Sequence, residues 1–181
     1  SSDLELLIDL GALPIAHRML RDANEAEETF PLSLHICNTC GLGQIVDPID
    51  PAILYSGFNF NFSSWKPEPH LEDELDMITH DGVPARVVEI GCHDGRFLQA
   101  LKDRGAKTAV GIEPNPVPGA AARDRGLTVF TSMINPDVCD AAIDAAGGEF
   151  DLVMSRQVLE HVLDLDNFLQ CADRMLNDTG R

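Results

Sequence analysis

Residues 86–95, Arg-Val-Val-Glu-Ile-Gly-Cys-His-Asp-Gly, constrain the fold more than any other stretch of the chain. Val87, Val88 and Ile90 form a short β-branched run of the kind buried in a parallel sheet. Phe97, Leu98 and Leu101 follow at helical spacing, so a strand ends near Ile90 and a helix begins near Gly95. Gly91 can take backbone angles closed to other residues, and it lets a ligand approach the main chain. The free amides and positive dipole end of the new helix favour negative charge. Glu89 falls at the strand's carboxyl end, where open α/β sheets bind ligands. The whole reads as a nucleotide-type cofactor loop.

The next strand strengthens that reading. Ala109-Val110-Gly111-Ile112-Glu113 is a second apolar run ending in a carboxylate, with Glu113 lying 18 residues after Gly95. Dinucleotide folds place an acidic residue about 20 residues on, at the tip of the second strand, to accept from the ribose hydroxyls. A carboxylate suits that task because it offers several lone pairs and no donor. A solvated strand end is the plainer reading of Glu113 taken alone.

Glu89-x-Gly91-x-x-x-Gly95, then Gly111-Ile112-Glu113-Pro114-Asn115-Pro116, then Phe150 to Met154 leading into Gln157-Val158-Leu159-Glu160-His161-Val162, resembles a class I S-adenosylmethionine-dependent methyltransferase. The loop Glu-Ile-Gly-Cys-His-Asp-Gly is similar to that of the zinc-containing C-methyltransferases acting on nucleotide-linked keto-deoxysugars, with His93 where that subfamily has asparagine. Ile8 to Leu20, Phe30-Pro31-Leu32 and Cys37 to Gln44 resemble the small zinc-binding domain that precedes the cofactor fold in the same family. The expected architecture is therefore α/β. A zinc-binding domain is expected over 1–54, a substrate- and cofactor-lining segment with a linker helix over 55–84, and a Rossmann-like sheet, supplying the first four strands, over 85–181.

Five cysteines, at 37, 40, 92, 139 and 171, come without a secretory signal, so a disulfide framework is not expected. Cys37-x-x-Cys40-Gly41 is half of a zinc knuckle, its spacing letting both thiolates reach one ion. Structural zinc takes four ligands. His17 or His35 are candidates to complete it, and the resemblance places another Cys-x-x-Cys just upstream of Ser1; the alternative is two reduced thiols without metal. The far end gives a parallel expectation. Four strands are expected, near 86–90, 108–113, 127–130 and 150–154, and Arg181 stands where a fifth would begin, so the native polypeptide is expected to be longer at both ends.

Between the two parts, Tyr55 to Trp65 concentrates aromatic and small polar side chains, suited to a pocket wall. Ser63 and Ser64 match a Tyr-x-Tyr-x-Ser-Ser pattern of the resembled family, whereas Asn59 and Asn61 replace its tyrosines. An amphipathic strand with Phe58, Phe60 and Phe62 inward is compatible with that role. Leu71 to Ile78 reads as a helix with one apolar stripe, and 82–84 as a linker.

The resemblance implies S-adenosylmethionine as cofactor, with Gly91 and Gly95 at its methionine portion, Asp94 capping the helix and helping to orient that portion, Glu113 on the ribose, Ser132 and Met133 at the adenine, and Gln157 lining the pocket. It implies His161 as acid or base, imidazole being readily poised near neutrality. In many methyltransferases of this class the same histidine only packs beside the cofactor. A further Tyr-Asp-Glu-His run of that family would lie beyond Arg181. Cys92 and His93 receive no role.

Composition narrows the acceptor. The net charge is −17, with 13 Lys and Arg against 30 Asp and Glu, which argues against a nucleic-acid substrate and for a small molecule. No apolar run approaches the ~20 residues of a membrane span, and a cytoplasmic enzyme is expected. The activity expected is C-methylation of a nucleotide-linked keto-deoxysugar or related natural-product intermediate. Alternatives are O- or N-methylation of a small molecule, or a non-catalytic module binding zinc and cofactor. The oligomeric state is open.

Overall fold

The structure is a computed structural model; it describes residues 3–16, 18, 20, 22–56 and 69–181. The chain divides into two compact units, Ser1–Phe60 and Asn61–Arg181. The division falls inside the expected 55–84 segment, whose core, including Ser63 and Ser64, lies outside the described residues, as does His17.

The first unit is a three-stranded antiparallel sheet in the order β1-β2-β3, from β1 (Leu4–Pro14), β2 (Thr29–Cys37) and β3 (Gly43–Ile45), followed by the short helix α1 (Pro51–Ser56). β1 pairs along most of β2, from Leu4 opposite Cys37 to Pro14 opposite Thr29, with two register shifts on the way. The acidic stretch 24–28 is an exposed loop, as its charge density requires.

The second unit begins with α2 (Leu71–Thr79), whose apolar stripe buries Leu75. A parallel sheet follows, built from β4 (Arg86–Ile90), β5 (Thr108–Ile112), β6 (Thr128–Phe130) and β7 (Leu152–Ser155) in the spatial order β6-β5-β4-β7. The crossovers carry α3 (Arg96–Asp103), α4 (Pro116–Asp124) and α5 (Pro136–Ala146), and α6 (Leu165–Met175) follows β7. The four expected strands are present within two residues of their expected limits.

Alternation along the strands sorts the core into two layers. Val87, Ala109 and Leu152 face Leu75 of α2, Phe97, Leu98 and Leu101 of α3, and Ala122 of α4. Val88, Ile90, Val110 and Ile112 face Val138, Cys139 and Ala142 of α5 and Phe168, Cys171 and Met175 of α6. Each fully buried Leu or Phe here stabilises by about 1.5–3 kcal/mol relative to an exposed one. Asparagine side chains start two of the crossover helices, Asn115 accepting from the Val117 amide and Asn135 from that of Val138, each with proline next in line. On the far side of β7 the Arg181 amide donates to the Asp151 carbonyl, and the Val153 amide to the Arg181 carbonyl, a pair of bonds with the pattern of a parallel ladder.

Candidate functional site

Because β4, β5, β6 and β7 are parallel, the loops leaving their carboxyl ends share one edge of the sheet. The chain runs outward from β4 to β6 and then returns to β7 on the other side of β4, so the crevice beside β4 is the topological switch point, where open α/β sheets bind ligands. That edge brings together Glu89, Gly91, Asp94, Gly95, Glu113, Ser132, Met133, Gln157 and His161, which the sequence alone had singled out.

The glycine loop is shaped by close approaches. Gly91 has φ +76°, and a Cβ there would come within 2.4 Å of Cγ2 of Val158; its amide donates to the Ile112 carbonyl at 2.7 Å. Gly95 has φ +73°, and a Cβ would meet Cδ1 of Leu127 at 2.4 Å and the Cβ of Ala122 at 2.9 Å. Any side chain at either position would collide with the loop after β7 or with the packing of α4.

His93 is also left-handed, at φ 50°. Asparagine visits that region more readily than most residues, so the asparagine of the resembled subfamily and this histidine meet the same backbone demand. Gln157, at φ 54° after β7, is the second non-glycine residue of this kind among the described residues. Such backbone concentrates at ligand sites, and both examples flank β4 and β7.

Glu113 is 6% exposed and accepts from two backbone amides, His93 on Oε2 and Asn115 on Oε1, each at 2.8 Å. Burial raises its pKa while these amides lower it. Asp94, 4% exposed, stands against Arg96 at 3.2 Å and Arg125 at 3.4 Å. The expectation that Asp94 caps the helix needs correcting. The N-cap of α3 is Gly95, which carries no side chain to cap with, and the Asp94 carboxylate accepts from the Arg96 amide at 3.4 Å. The two guanidinium groups pair with the same carboxylate.

Ser132 donates to the Met133 carbonyl at 2.7 Å and accepts from Asn135 at 3.2 Å, so its hydroxyl is engaged within its own loop. Met133 is half exposed. His161 closes a short 3-10 turn, Leu159–His161, with Nε2 4.0 Å from Glu160 and about half its side chain open to solvent.

One residue at this edge carried no sequence signal. Arg156, directly after β7, donates from Nε to Oε1 of Glu89 at 2.8 Å and from Nη1 to Oε2 of Glu74 at 3.1 Å, and lies 3.9 Å above the Phe97 ring. Glu89 is fully buried, and its Oε2 has no partner among the described residues. Burial lifts its pKa to about 7 against the lowering effect of Arg156. Cys92, 2% exposed, turns its thiol onto Gly111, where a Cβ would come within 2.4 Å of Sγ. Its thiol packs the sheet rather than lining the cleft.

In the first unit Cys37 ends β2 and Cys40 follows in a tight turn. The Gly41 amide donates to the Cys37 carbonyl at 2.8 Å, the Cys37 amide donates to the Leu42 carbonyl at 2.9 Å, and Gly41 takes φ +75°. Cys37 is buried and Cys40 exposed, and neither forms a disulfide. His35 lies two residues before Cys37 on the same face of β2, with a buried Nδ1 lacking a partner among the described residues. No group of three or more His, Cys, Asp or Glu able to hold a metal occurs among the described residues. Cys37 and Cys40 thus fit half of a structural zinc site.

No helix of the described residues is long and apolar enough to cross a membrane.

Comparison with known proteins agrees with this division. Residues 1–55 match the family "Putative zinc binding domain", and residues 66–181 the family "Methyltransferase domain". The C-methyltransferase NovU of Streptomyces niveus is 26% identical over 96% of this chain and 42% of its own length. The ubiquinone biosynthesis O-methyltransferase of Azorhizobium caulinodans is 33% identical over 52% of this chain and 37% of its own length. The chain therefore spans less than half the length of these relatives. Among solved structures, the magnesium protoporphyrin IX methyltransferase of Synechocystis, with bound S-adenosylmethionine, superposes with a TM-score of 0.53 at 16% identity, covering 73% of this chain and 74% of that one, a likeness of fold. The chain belongs to the methyltransferase-domain family, and its sheet is the parallel sheet of class I methyltransferases behind a zinc-binding-family N-terminal segment.

Proposed function

We propose that this protein is an S-adenosylmethionine-dependent methyltransferase acting on a small molecule, by C-methylation of a nucleotide-linked keto-deoxysugar or related natural-product intermediate. The observation that carries the cofactor reading is the bond between the glycine loop and Glu113, which holds an acidic strand tip beside a loop whose positions 91 and 95 are too close-packed for any side chain. The likeness to NovU along nearly the whole chain favours carbon as the acceptor atom, and the acidic composition favours a small-molecule acceptor over a nucleic acid.

S-adenosylmethionine supplies an electrophilic methyl group on a sulfonium. In this reading Gly91 and Gly95 admit the methionine portion, Glu113 accepts from the ribose hydroxyls with the lone pairs its backbone donors leave free, and Ser132 and Met133 border the adenine. Gln157 lines the pocket. His161 would take the proton from the carbon beside the acceptor's ketone, and that carbon would bond to the methyl group as the methyl–sulfur bond breaks and S-adenosylhomocysteine leaves. Cys37 and Cys40 hold structural zinc together with ligands from outside the described residues. Ser63 and Ser64 keep the substrate- and cofactor-binding role that the family pattern implies.

The match to ubiquinone O-methyltransferases gives O-methylation a specific footing as second reading. Incubation with a nucleotide-linked keto-deoxysugar, followed by NMR of the product, separates the two. Carbon methylation predicts a methyl group bonded to the carbon beside the ketone in a product that is lost in His161→Gln, while a methyl group on oxygen overturns it.

A further inference from the structure

The glycine loop is held by the far end of α4, a helix that the cofactor reading has not used. Arg125 is the C-cap of α4, and Gly126 follows it at φ +81°. The Gly126 amide donates to the Arg123 carbonyl at 2.8 Å and the Leu127 amide to the Ala122 carbonyl at 3.3 Å. These two bonds close a Schellman motif, so the backbone that carries Arg125 is fixed. Its side chain crosses 31 residues of sequence to the loop, where Nε donates to the Asp94 carbonyl at 2.9 Å and Nη2 to Oδ2 of the Asp94 carboxylate at 3.4 Å. One planar guanidinium thus grips Asp94 by main chain and side chain together. Ala122 and Leu127, of the same helix end, are the residues that a Cβ at Gly95 would strike. Arg123 shows what an arginine in this turn does without reaching the loop: its Nη1 donates to the Val129 carbonyl at 3.2 Å and to Oγ1 of Thr131 at 2.9 Å.

The other end of α4 meets the site too, since its N-cap Asn115 donates its amide to Glu113 at 2.8 Å. The helix is therefore a strut, bonded at its start to the carboxylate assigned to the ribose and clamped at its end onto the loop assigned to the methionine portion. We propose that Arg125 is a positioning residue for methyl transfer: through Asp94 it sets the glycine loop and the first-turn amides of α3 against the methionine end of the cofactor. This role rests on the S-adenosylmethionine reading and adds to it a residue that acts through Asp94. The loop has two separate holds, the His93 amide on Glu113 and Asp94 on Arg125. Loss of Arg125 releases the second and leaves the first, so the ribose end keeps its place.

The test is calorimetry on the whole protein with two probes, S-adenosylhomocysteine and 5′-methylthioadenosine, which keeps the adenine and ribose and lacks the amino-acid end. Arg125→Met is expected to weaken S-adenosylhomocysteine binding by about tenfold and to leave 5′-methylthioadenosine within about twofold. Arg123→Met removes the neighbouring arginine of the same helix end and is expected to change neither. Hydrogen exchange supplies a second readout: the amides of 94–98 are expected to exchange faster in Arg125→Met and at the wild-type rate in Arg123→Met. Arg125→Lys keeps a positive charge without the two-point grip. It is expected to fall between wild type and Arg125→Met, and it carries the comparison if Arg125→Met does not fold. Equal losses for both probes, or the same loss in Arg123→Met, would mean that Arg125 only steadies the end of α4 and would overturn the proposal. Wild-type S-adenosylhomocysteine affinity in Arg125→Met would overturn it as well. A wild type that binds neither probe overturns the cofactor reading itself, an outcome visible before any substitution is made.

Discussion

The backbone amide of His93 donates to Oε2 of Glu113 across 2.8 Å, fastening the loop after β4 to the tip of β5. The Asn115 amide takes the other oxygen at the same distance, so the carboxylate organises the loop before any ligand is present. Each oxygen retains a lone pair for a further donor.

Glu113→Ala removes both amide acceptors together with the proposed ribose contact. S-adenosylhomocysteine affinity is expected to fall by about tenfold or more, read by calorimetry. Glu113→Gln is expected to lose affinity too, because its amide nitrogen would have to face one of two backbone donors. Unchanged affinity in both variants would remove Glu113 from the ribose.

The buried Glu89 makes stability depend on pH. Its pKa is raised from 4.5 to about 7 by burial, so the folded state holds a proton that the unfolded state releases between these values. The contribution of the protonated carboxyl is fully present below pH 4.5 and is lost as pH rises through about 7. Across that window the cost is about 3 kcal/mol. Glu89→Gln is therefore expected to raise the melting temperature at pH 8 and to leave it nearly unchanged at pH 4. A variant no more stable than wild type at pH 8 would contradict this.

The strands, the glycine loop and Glu113 were legible because each rests on local pattern: β-branched runs for parallel strands, helical spacing after Gly95, and a carboxylate at a strand tip. Arg156 was not legible. It lies 67 residues from Glu89 in a loop without periodicity, and their pairing exists only because β7 returns beside β4. Cys92 stands in the cofactor loop without a role that the sequence assigns, and the absence of a side chain at Gly111 in the neighbouring strand draws its thiol inward. His93 had looked like a departure from a family pattern until its φ of 50° showed what asparagine and histidine are both asked to do there. Asp94 was expected as a helix cap, but two arginines, one of them 31 residues away, compete for its carboxylate.

Gly91→Ala combines a left-handed backbone with an overlap against Val158. It is expected to destabilise by about 2 kcal/mol or more and to weaken S-adenosylhomocysteine binding. The double variant Gly91→Ala with Val158→Ala relieves the overlap but not the backbone strain, so chemical denaturation is expected to show partial recovery. Full wild-type stability in Gly91→Ala would show that the approach is not tight.

The thiols differ sharply in reactivity. Cys92 and Cys139 are buried with pKa values pushed up by desolvation, the latter to about 12, whereas Cys40 is exposed. In metal-stripped native protein, a disulfide reagent is expected to modify Cys40 rapidly and the other four only on unfolding. Added zinc is expected to slow the Cys40 reaction where the remaining ligands are present. Rapid modification of Cys92 in the native state would contradict the packing against Gly111.

Titration of the protein with S-adenosylhomocysteine, followed by calorimetry, bears most directly on the cofactor reading. Saturable binding at a single site per chain, weakened in Glu113→Ala and in Gly91→Ala, is the predicted result. No binding to the folded wild-type protein would contradict it.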